Sequence, residues 1–509
     1  MKKVTPVFTL SVIVTLFFII WGAIPAGILN NFSLDAVTTA VHSFILEKFG
    51  WFYLISASIF LAFTIILIFT KYGNIRLGKE GDQPEYSYLT WFAMLFSAGM
   101  GIGLVFWGAA EPMFHYYYPP LEKPASEESA RAALRYSFFH WGLHPWAIYT
   151  VVGLALAYFQ FRKKSPGVFS SLLRPIFGDR VDGGLGILIN FIAVFATVFG
   201  VATSLGLGAS QISGGLSYTF EGIENTFFTQ LIIIIVVTIL FIISAQTGLN
   251  RGIKYLSNAN IVLAMALMLF VLFTGPTNFI MDVFSTTLGS YIQNLPSMSF
   301  RLAPFDPENT WYEDWTIFYW AWWISWAPFV GTFIARVSRG RTIREFTIGV
   351  LLVPTLFGAL WFSVFGGSAI GLDFFQGKSI LGAIESIGEE VALFELFNFF
   401  PFSAFLSILA ILLICTFFIT SADSATFVLG MQTTNGSLNP PNIVKLVWGL
   451  IQAGTATILL YIGGLAALQK ASIIAALPFT VIMLLIVYSL IKSFMEEIPK
   501  GQKTQRNID

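Results

Sequence analysis

The sequence predicts an all-α, polytopic membrane protein with twelve transmembrane helices, on three observations. Of its 509 residues 56% are hydrophobic and only 11% charged, with a mean hydropathy of +0.75. A water-soluble protein carries about 25% charged residues, so this chain has more apolar surface than a soluble core can hide. Apolar runs close to the ~20 residues of a spanning helix recur along its length. With the N-terminus placed in the cytoplasm, most of the 28 Lys and Arg residues fall on cytoplasmic segments, as the positive-inside rule requires. Their densest groups are Arg162, Lys163, Lys164, Arg174 and Arg180, then Arg336, Arg339, Arg341 and Arg344. Omitting one span scrambles that alternation, so both termini are expected on the cytoplasmic side of a multi-pass cell-membrane protein.

In chain order the spans are expected at 7–29, 51–70, 89–110, 137–161, 185–216, 228–245, 253–274, 315–335, 348–370, 402–431, 443–465 and 471–491. The first follows Lys2 and Lys3 but exceeds the about 7–15 apolar residues of a signal peptide, so it is read as an uncleaved span. Glu111, followed by Pro112, is expected to mark the external end of the third helix. Two longer external segments repeat apolar residues at helical spacing, which predicts an amphipathic surface helix in each. These residues are Ile280, Phe284, Leu288, Tyr291, Ile292 and Leu295 in the first, and Ile380, Ile384, Ile387 and Val391 in the second. A single cysteine, Cys415, excludes an intrachain disulfide and a multi-cysteine metal site. The net charge of zero gives no reason to expect a nucleic-acid partner.

The third span contains Ser97-Ala98-Gly99-Met100-Gly101-Ile102-Gly103. Each glycine costs a helix interior about 1 kcal/mol relative to alanine. Close packing of membrane helices uses small residues four apart, whereas alternate glycines occupy different faces. The pattern therefore predicts a break near the membrane centre, where non-helical backbone is tolerated when it lines a cavity. Freed carbonyls there can ligate a cation, and freed N–H groups at Met100, Gly101 and Gly103 can face a carboxylate.

Aromatic residues crowd two spans. The fourth carries Trp141, Trp146 and Tyr149, and the eighth carries Trp315, Trp320, Trp322, Trp323 and Trp326. An interfacial aromatic belt explains Trp315, but Trp323 and Trp326 lie deeper in their span. Ring faces suit a quaternary ammonium, which has no N–H to donate, and each is worth up to about 2 kcal/mol when desolvated. A carboxylate in such a box favours cations over zwitterions, and neither aromatic stretch contains one. His140 and His144 stand four apart, but no Cys or acidic residue close in sequence completes a coordination set, so no metal other than sodium is expected. The tenth span carries Thr420-Ser421-Ala422-Asp423-Ser424. An ionisable residue inside a span marks function, and paired hydroxyls offer oxygen ligands to a hard cation. The fifth span adds Thr197, Thr203 and Ser204 among glycines.

Read together, these motifs resemble the betaine/carnitine/choline transporter family over nearly the whole chain. The matching residues are Gly99-Met100-Gly101-Ile102-Gly103, His140-Trp141, Leu143-His144-Pro145-Trp146, Trp320-Ala321-Trp322-Trp323-Ile324-Ser325-Trp326, Arg336, Ser338-Arg339-Gly340-Arg341-Thr342 and Thr420-Ser421-Ala422-Asp423-Ser424. The resemblance implies a leucine-transporter-like core of two inverted five-helix repeats at 89–274 and 315–491. Residues 1–88 then hold two peripheral spans, 275–314 an external helix and loop, and 492–509 a short cytoplasmic tail. It implies a homotrimer with contacts from the helix near Ile280–Leu295, and a membrane-lipid environment. The implied substrate box is Trp141, Trp146, Tyr149 and Trp323, with Trp326 close by and Met100, Gly101 and Gly103 beside it. One sodium site is implied at the carbonyls of Ser97, Met100 and Phe417 and the hydroxyls of Thr420 and Ser421, and a second at Thr197, Ser204 and the Phe329 ring.

At the position where sodium-coupled betaine carriers of the family show a further threonine, this chain has Val201, so Ser204 and Thr203 are the hydroxyls from which that site would be rebuilt. Choline carriers place aspartate where this chain has Gly103, which favours a zwitterion. The expected function is import of glycine betaine or a related compatible solute by sodium symport, for osmoprotection, with Na+ as coupling ion and no organic cofactor. The alternative is a sodium-independent or proton-coupled carrier of carnitine, choline or ectoine. The seventh span has no Lys or Arg in 255–274 to replace a bound sodium, which opposes the exchanger. Catalytic residues do not cluster, so no enzyme is expected.

Overall fold

The computed structural model describes residues 5–99, 101–247 and 250–497, with the side chains of 96–99, 247 and 250–254 outside that description. Met100, Lys2, Lys3 and the tail beyond Glu497 therefore lie outside it. Nine helices among the described residues are long and apolar enough to cross a membrane. One of them, Asn442–Glu497, is two helices joined at Gly463 (φ −175°) and Gly464 (φ +56°). The third span is divided into two shorter helices, and the eighth is a Trp-rich helix of lower hydropathy. Twelve spans result, as the sequence predicts.

The helices used below are α1 (Pro6–Ala23), α2 (Leu34–Phe69), α3 (Tyr88–Gly99), α4 (Ile102–Tyr117), α5 (Glu127–Trp141), α6 (Leu143–Ala157), α7 (Gly184–Thr219), α8 (Phe227–Thr247), α9 (Asn250–Thr274) and α10 (Thr277–Ser299). They continue as α11 (Phe318–Val337), α12 (Ile343–Gln376), α13 (Leu381–Ile387), α14 (Ala392–Phe397), α15 (Ser403–Gln432) and α16 (Asn442–Glu497). α1 presents Ile13, Phe17 and Ile20 outward, as a peripheral span facing lipid should. Inside, α7 packs against α11, α15 and α16, and α6 packs against α11. α4 packs against α7 and α15, and α3 against α11, so the aromatic spans, the hydroxyl-bearing span and the broken span come to one place.

Three expectations need correction, and a fourth, the first amphipathic helix, is met. The third span does not end at Glu111, because α4 carries Pro112 inside it and runs on to Tyr117. The fourth span is not one helix: α5 and α6 meet at Gly142, whose φ/ψ of −98°/−131° interrupts the helical run. A Cβ at Gly142 would lie 2.4 Å from the Phe138 carbonyl oxygen and 2.8 Å from the Tyr291 hydroxyl, so only glycine fits. The first amphipathic helix exists as α10 and buries Ile280 and Tyr291, but Ile292 is exposed. The second is broken by Gly388 (φ +138°) into α13, a 3-10 turn and α14, and Ile387 faces outward.

Candidate functional site

The break in the third span falls where the glycines alternate. Helix α3 stops at Gly99 and α4 starts at Ile102, with Gly101 extended at φ −144°, ψ −150°. The break lies against the tenth span, since a Cβ on Gly101 would stand 3.9 Å from Ser421 Oγ. Gly103 lies against the aromatic cluster, where a Cβ would come within 2.5 Å of the Trp322 ring and 3.0 Å of the Trp141 ring. The two glycines thus serve different neighbours, one a hydroxyl and one a pair of indoles.

Four of the expected rings are contiguous. Trp141 meets Trp323 edge to face with centroids 5.0 Å apart, and Tyr149 meets Trp323 at 5.6 Å and Trp146 at 5.5 Å, each near perpendicular. Trp322 extends the cluster, stacked on Trp323 at 5.5 Å. Trp323 Nε1 donates to the His140 carbonyl (3.0 Å), beside the Gly142 interruption. All four rings are buried, and the Tyr149 hydroxyl has no hydrogen-bond partner among the described residues. Trp326 does not join the cluster. Its Nε1 donates to the Gly200 carbonyl (2.7 Å) and its ring packs on Phe329 at 5.4 Å, one turn further along α11.

The hydroxyl-bearing residues form two regions. In the first, Thr420 Oγ1 contacts the carbonyls of Thr416 (3.0 Å) and Phe417 (3.2 Å) and accepts a bond from Asn260 Nδ2 (3.1 Å). Asp423 is buried one turn on and accepts from Ser244 Oγ (2.7 Å). In the second, Thr197 and Ser204 lie on α7 on either side of Gly200, where α11 approaches closely. Thr197 Oγ1 donates to the Ala193 carbonyl (2.7 Å), while Ser204 Oγ is buried without a partner among the described residues. Thr203 turns away from them: its hydroxyl meets the Leu468 carbonyl (3.0 Å) and Ser472 Oγ (2.8 Å) on α16. The Thr203 hydroxyl is thus engaged by α16.

A polar node behind the rings has no counterpart in the sequence expectations. Glu111 is fully buried, with Oε1 facing His140 Nδ1 (2.8 Å) and His115 Nε2 (3.2 Å). Its Oε2 accepts from Trp141 Nε1 (2.8 Å) and the Tyr319 hydroxyl (2.5 Å). His140 Nε2 meets Thr316 Oγ1 at 2.9 Å. Thus an acidic residue does reach His140, from the third span rather than from the neighbouring sequence. One ligand atom each of Glu111, His115 and His140 lies within 4.8 Å of the others. His144 stands apart, stacked on Trp320 at 5.0 Å with Nε2 3.2 Å from Ser299 Oγ. Trp315 packs on His115 at 4.5 Å and so covers this node.

Against known proteins, the model of the betaine/carnitine/choline family transporters matches residues 6–499. The chain belongs to this family. It is 55% identical over 508 residues to the glycine betaine transporter OpuD of Bacillus subtilis (strain 168), covering 99% of this chain and 97% of that protein. It is 47% identical to the ectoine/hydroxyectoine transporter of Virgibacillus pantothenticus, covering 98% of this chain and 97% of that protein. A probable glycine betaine transporter of Desulfitobacterium hafniense (strain Y51) is 43% identical, covering 98% of this chain and 99% of that protein. The chain is thus a membrane-embedded, multi-pass transporter of the betaine/carnitine/choline family and not an enzyme.

Of the expected residues, Gly101 lies against Ser421 and Gly103 against Trp141, while Trp146, Tyr149 and Trp323 continue from Trp141 and Thr420 meets the Phe417 carbonyl. Thr197, Ser204, Trp326 and Phe329 gather where α7 and α11 meet. Met100 lies outside the described residues, as does the Ser97 side chain. Sequence reasoning missed Asn260 and the role of Glu111. Each had a signal: an amide pair, Asn258 and Asn260, in an apolar span, and a carboxylate with a histidine at helical spacing, Glu111 and His115.

Proposed function

We propose that this protein imports glycine betaine, or a closely related zwitterionic quaternary ammonium, by sodium symport. The observation that carries the reading is the contiguous Trp141, Trp146, Tyr149 and Trp323 rings, set against a span broken at Gly101. Ring faces attract the trimethylammonium by cation–π interaction, about 0.5–2 kcal/mol each depending on desolvation. The Tyr149 hydroxyl, without a partner among the described residues, and the freed backbone N–H groups are suited to the substrate carboxylate. Gly103 adds support, because an aspartate there would collide with the Trp141 and Trp322 indoles.

Sodium is assigned first to the Phe417 carbonyl, the Thr420 and Ser421 hydroxyls and the backbone at Ser97 and Met100. A second ion is assigned to Thr197, Ser204 and the Phe329 ring. Sodium holding the broken backbone against α15 completes the site, and two inverted five-helix repeats then rock to expose it on the other side. Betaine is net neutral, so the membrane potential acts only through its coupled ions. Each sodium contributes about 2.3 kcal/mol per 100 mV, roughly fifty-fold accumulation before its own concentration gradient counts. A second ion squares that factor. In this reading both termini are cytoplasmic, α10 contributes to a homotrimer within the lipid, and the physiological role is osmoprotection.

The test is uptake of radiolabelled glycine betaine by proteoliposomes, competed with proline betaine, carnitine, choline and ectoine. Inhibition by quaternary-ammonium zwitterions ahead of choline and ectoine supports the box. Inhibition led by ectoine, which has no trimethylammonium, overturns it. Counterflow of betaine without sodium assigns the protein to exchange instead.

A further inference from the structure

We propose that Glu111 is a specificity-determining positioning residue: its carboxylate fixes the Trp141 ring and gives the aromatic box the negative potential that a quaternary ammonium feels. The inference rests on the box reading above and adds a residue that the box itself does not contain.

Burying a carboxylate costs several kcal/mol unless its lone pairs are satisfied. Here they are, by four groups from three spans: His115 on α4 itself, His140 and Trp141 on α5, and Tyr319 on α11. The indole N–H can only donate, so the Glu111 atom facing it is an acceptor. The simplest assignment has His140 donating from Nδ1 and accepting from Thr316 at Nε2, with His115 donating from Nε2. Both imidazoles are then neutral and the node carries one net negative charge.

That charge lies in hydrogen-bond contact with a ring of the box. An N–H···O bond to a carboxylate is shorter and about twice as strong as a neutral one, and it pushes electron density into the indole whose face the cation meets. The neighbouring ring is held by the backbone of the same residue, because Trp323 Nε1 donates to the His140 carbonyl. Of these two rings, Trp141 from the fourth span bonds the carboxylate directly, and Trp323 from the eighth meets it only through the Trp141 ring and the His140 backbone. A packing role alone needs no carboxylate, since a well-shaped apolar residue fills a buried volume at lower cost.

Glutamine at 111 tests the charge and aspartate tests the reach. Glu111→Gln keeps an acceptor for Trp141 and can present its amide to the adaptable histidine tautomers, so the ring stays roughly in place while the charge is lost. Glu111→Asp keeps the charge but retracts it by one methylene. Betaine uptake is measured in proteoliposomes for both variants, for Trp141→Phe, and for Glu111→Gln with Trp141→Phe. The purified proteins are titrated with betaine by tryptophan fluorescence. Glu111→Gln is expected to raise the betaine KM about tenfold with little change in kcat, the scale of one lost charge-assisted bond. The double variant is expected to be no worse than Trp141→Phe alone, because the effect passes through that ring. Glu111→Asp is expected to recover part of the loss.

Full additivity of the two substitutions, or an unchanged KM in Glu111→Gln, overturns the proposal. If Trp141→Phe itself leaves the betaine KM unchanged, it is the box that fails. In that event the Glu111→Asp spectrum, whose acceptor is retracted from Trp141, decides the positioning role: one identical to that of the unaltered protein removes it, and a shifted one retains it. Should Glu111→Gln not fold, Tyr319→Phe removes one donor to the same oxygen. It is expected to raise KM two- to threefold with kcat preserved, at the lower end of a hydrogen bond's worth, and no change in KM counts against the node.

Discussion

The two hydroxyl regions assigned to sodium differ in what supplies their oxygen atoms. Around Thr420 the third span is interrupted at Gly101, so backbone is available beside Ser421, and the hydroxyl already lies at the Phe417 carbonyl. Around Ser204 both helices run unbroken, α7 through Gly184–Thr219 and α11 through Phe318–Val337, with Pro328 as the interruption of the hydrogen-bond ladder. That region relies on side chains, and one of its positions is the methyl-bearing, buried Val201. On the proposed sodium reading, the difference teaches that a break in a spanning helix offers a hard cation backbone oxygen that a hydroxyl count does not capture. Helical hydroxyls spend their protons on their own backbone in both regions, Thr197 on Ala193 and Thr420 on Thr416, so the regions differ in the backbone opened at Gly101.

The comparison can be broken most directly at Thr420. Thr420→Ala is expected to raise the sodium concentration for half-maximal betaine uptake by about tenfold, the scale of one lost ligand. Unchanged sodium dependence would place the ion elsewhere. Next in size, Val201→Thr is expected to lower that concentration about threefold and to raise the sodium Hill coefficient, since it returns an oxygen to the weaker region. A Hill coefficient already near two in the unaltered protein, unmoved by the change, would show that Ser204 and its neighbours suffice. Ser204→Ala is expected to move sodium affinity by about twofold or less. An effect as large as that of Thr420→Ala would erase the distinction between the two regions. Thr203→Ala is expected to leave sodium dependence as it is and to cost about 1 kcal/mol of stability in thermal unfolding, because its hydroxyl serves Leu468 and Ser472.

What was legible in the sequence follows the same division. Spans were legible because lipid demands about 20 apolar residues in a row whatever the tertiary fold. The break at Gly101 was legible because alternate glycines contradict both helix stability and close packing. The aromatic box was legible as residue types, and the structure brings its rings together. The Gly142 break was not, because its reason is tertiary: Tyr291, far along the chain in α10, occupies the space a Cβ needs and accepts the Leu143 N–H at 3.0 Å. Glu111 was read as a helix end because a proline follows it. Only folding puts four donors around it, three of them more than 25 positions away in sequence. Thr203 and Ser204 are adjacent in sequence yet face different helices, a distinction set by one helical step of about 100°.

The most direct measurement is betaine accumulation in proteoliposomes at a fixed membrane potential, with an inward sodium gradient imposed and then abolished. The account predicts accumulation above the external concentration that collapses when the gradient is removed and rises steeply with sodium. Equal uptake with and without sodium, or uptake only in exchange for internal betaine, would contradict it.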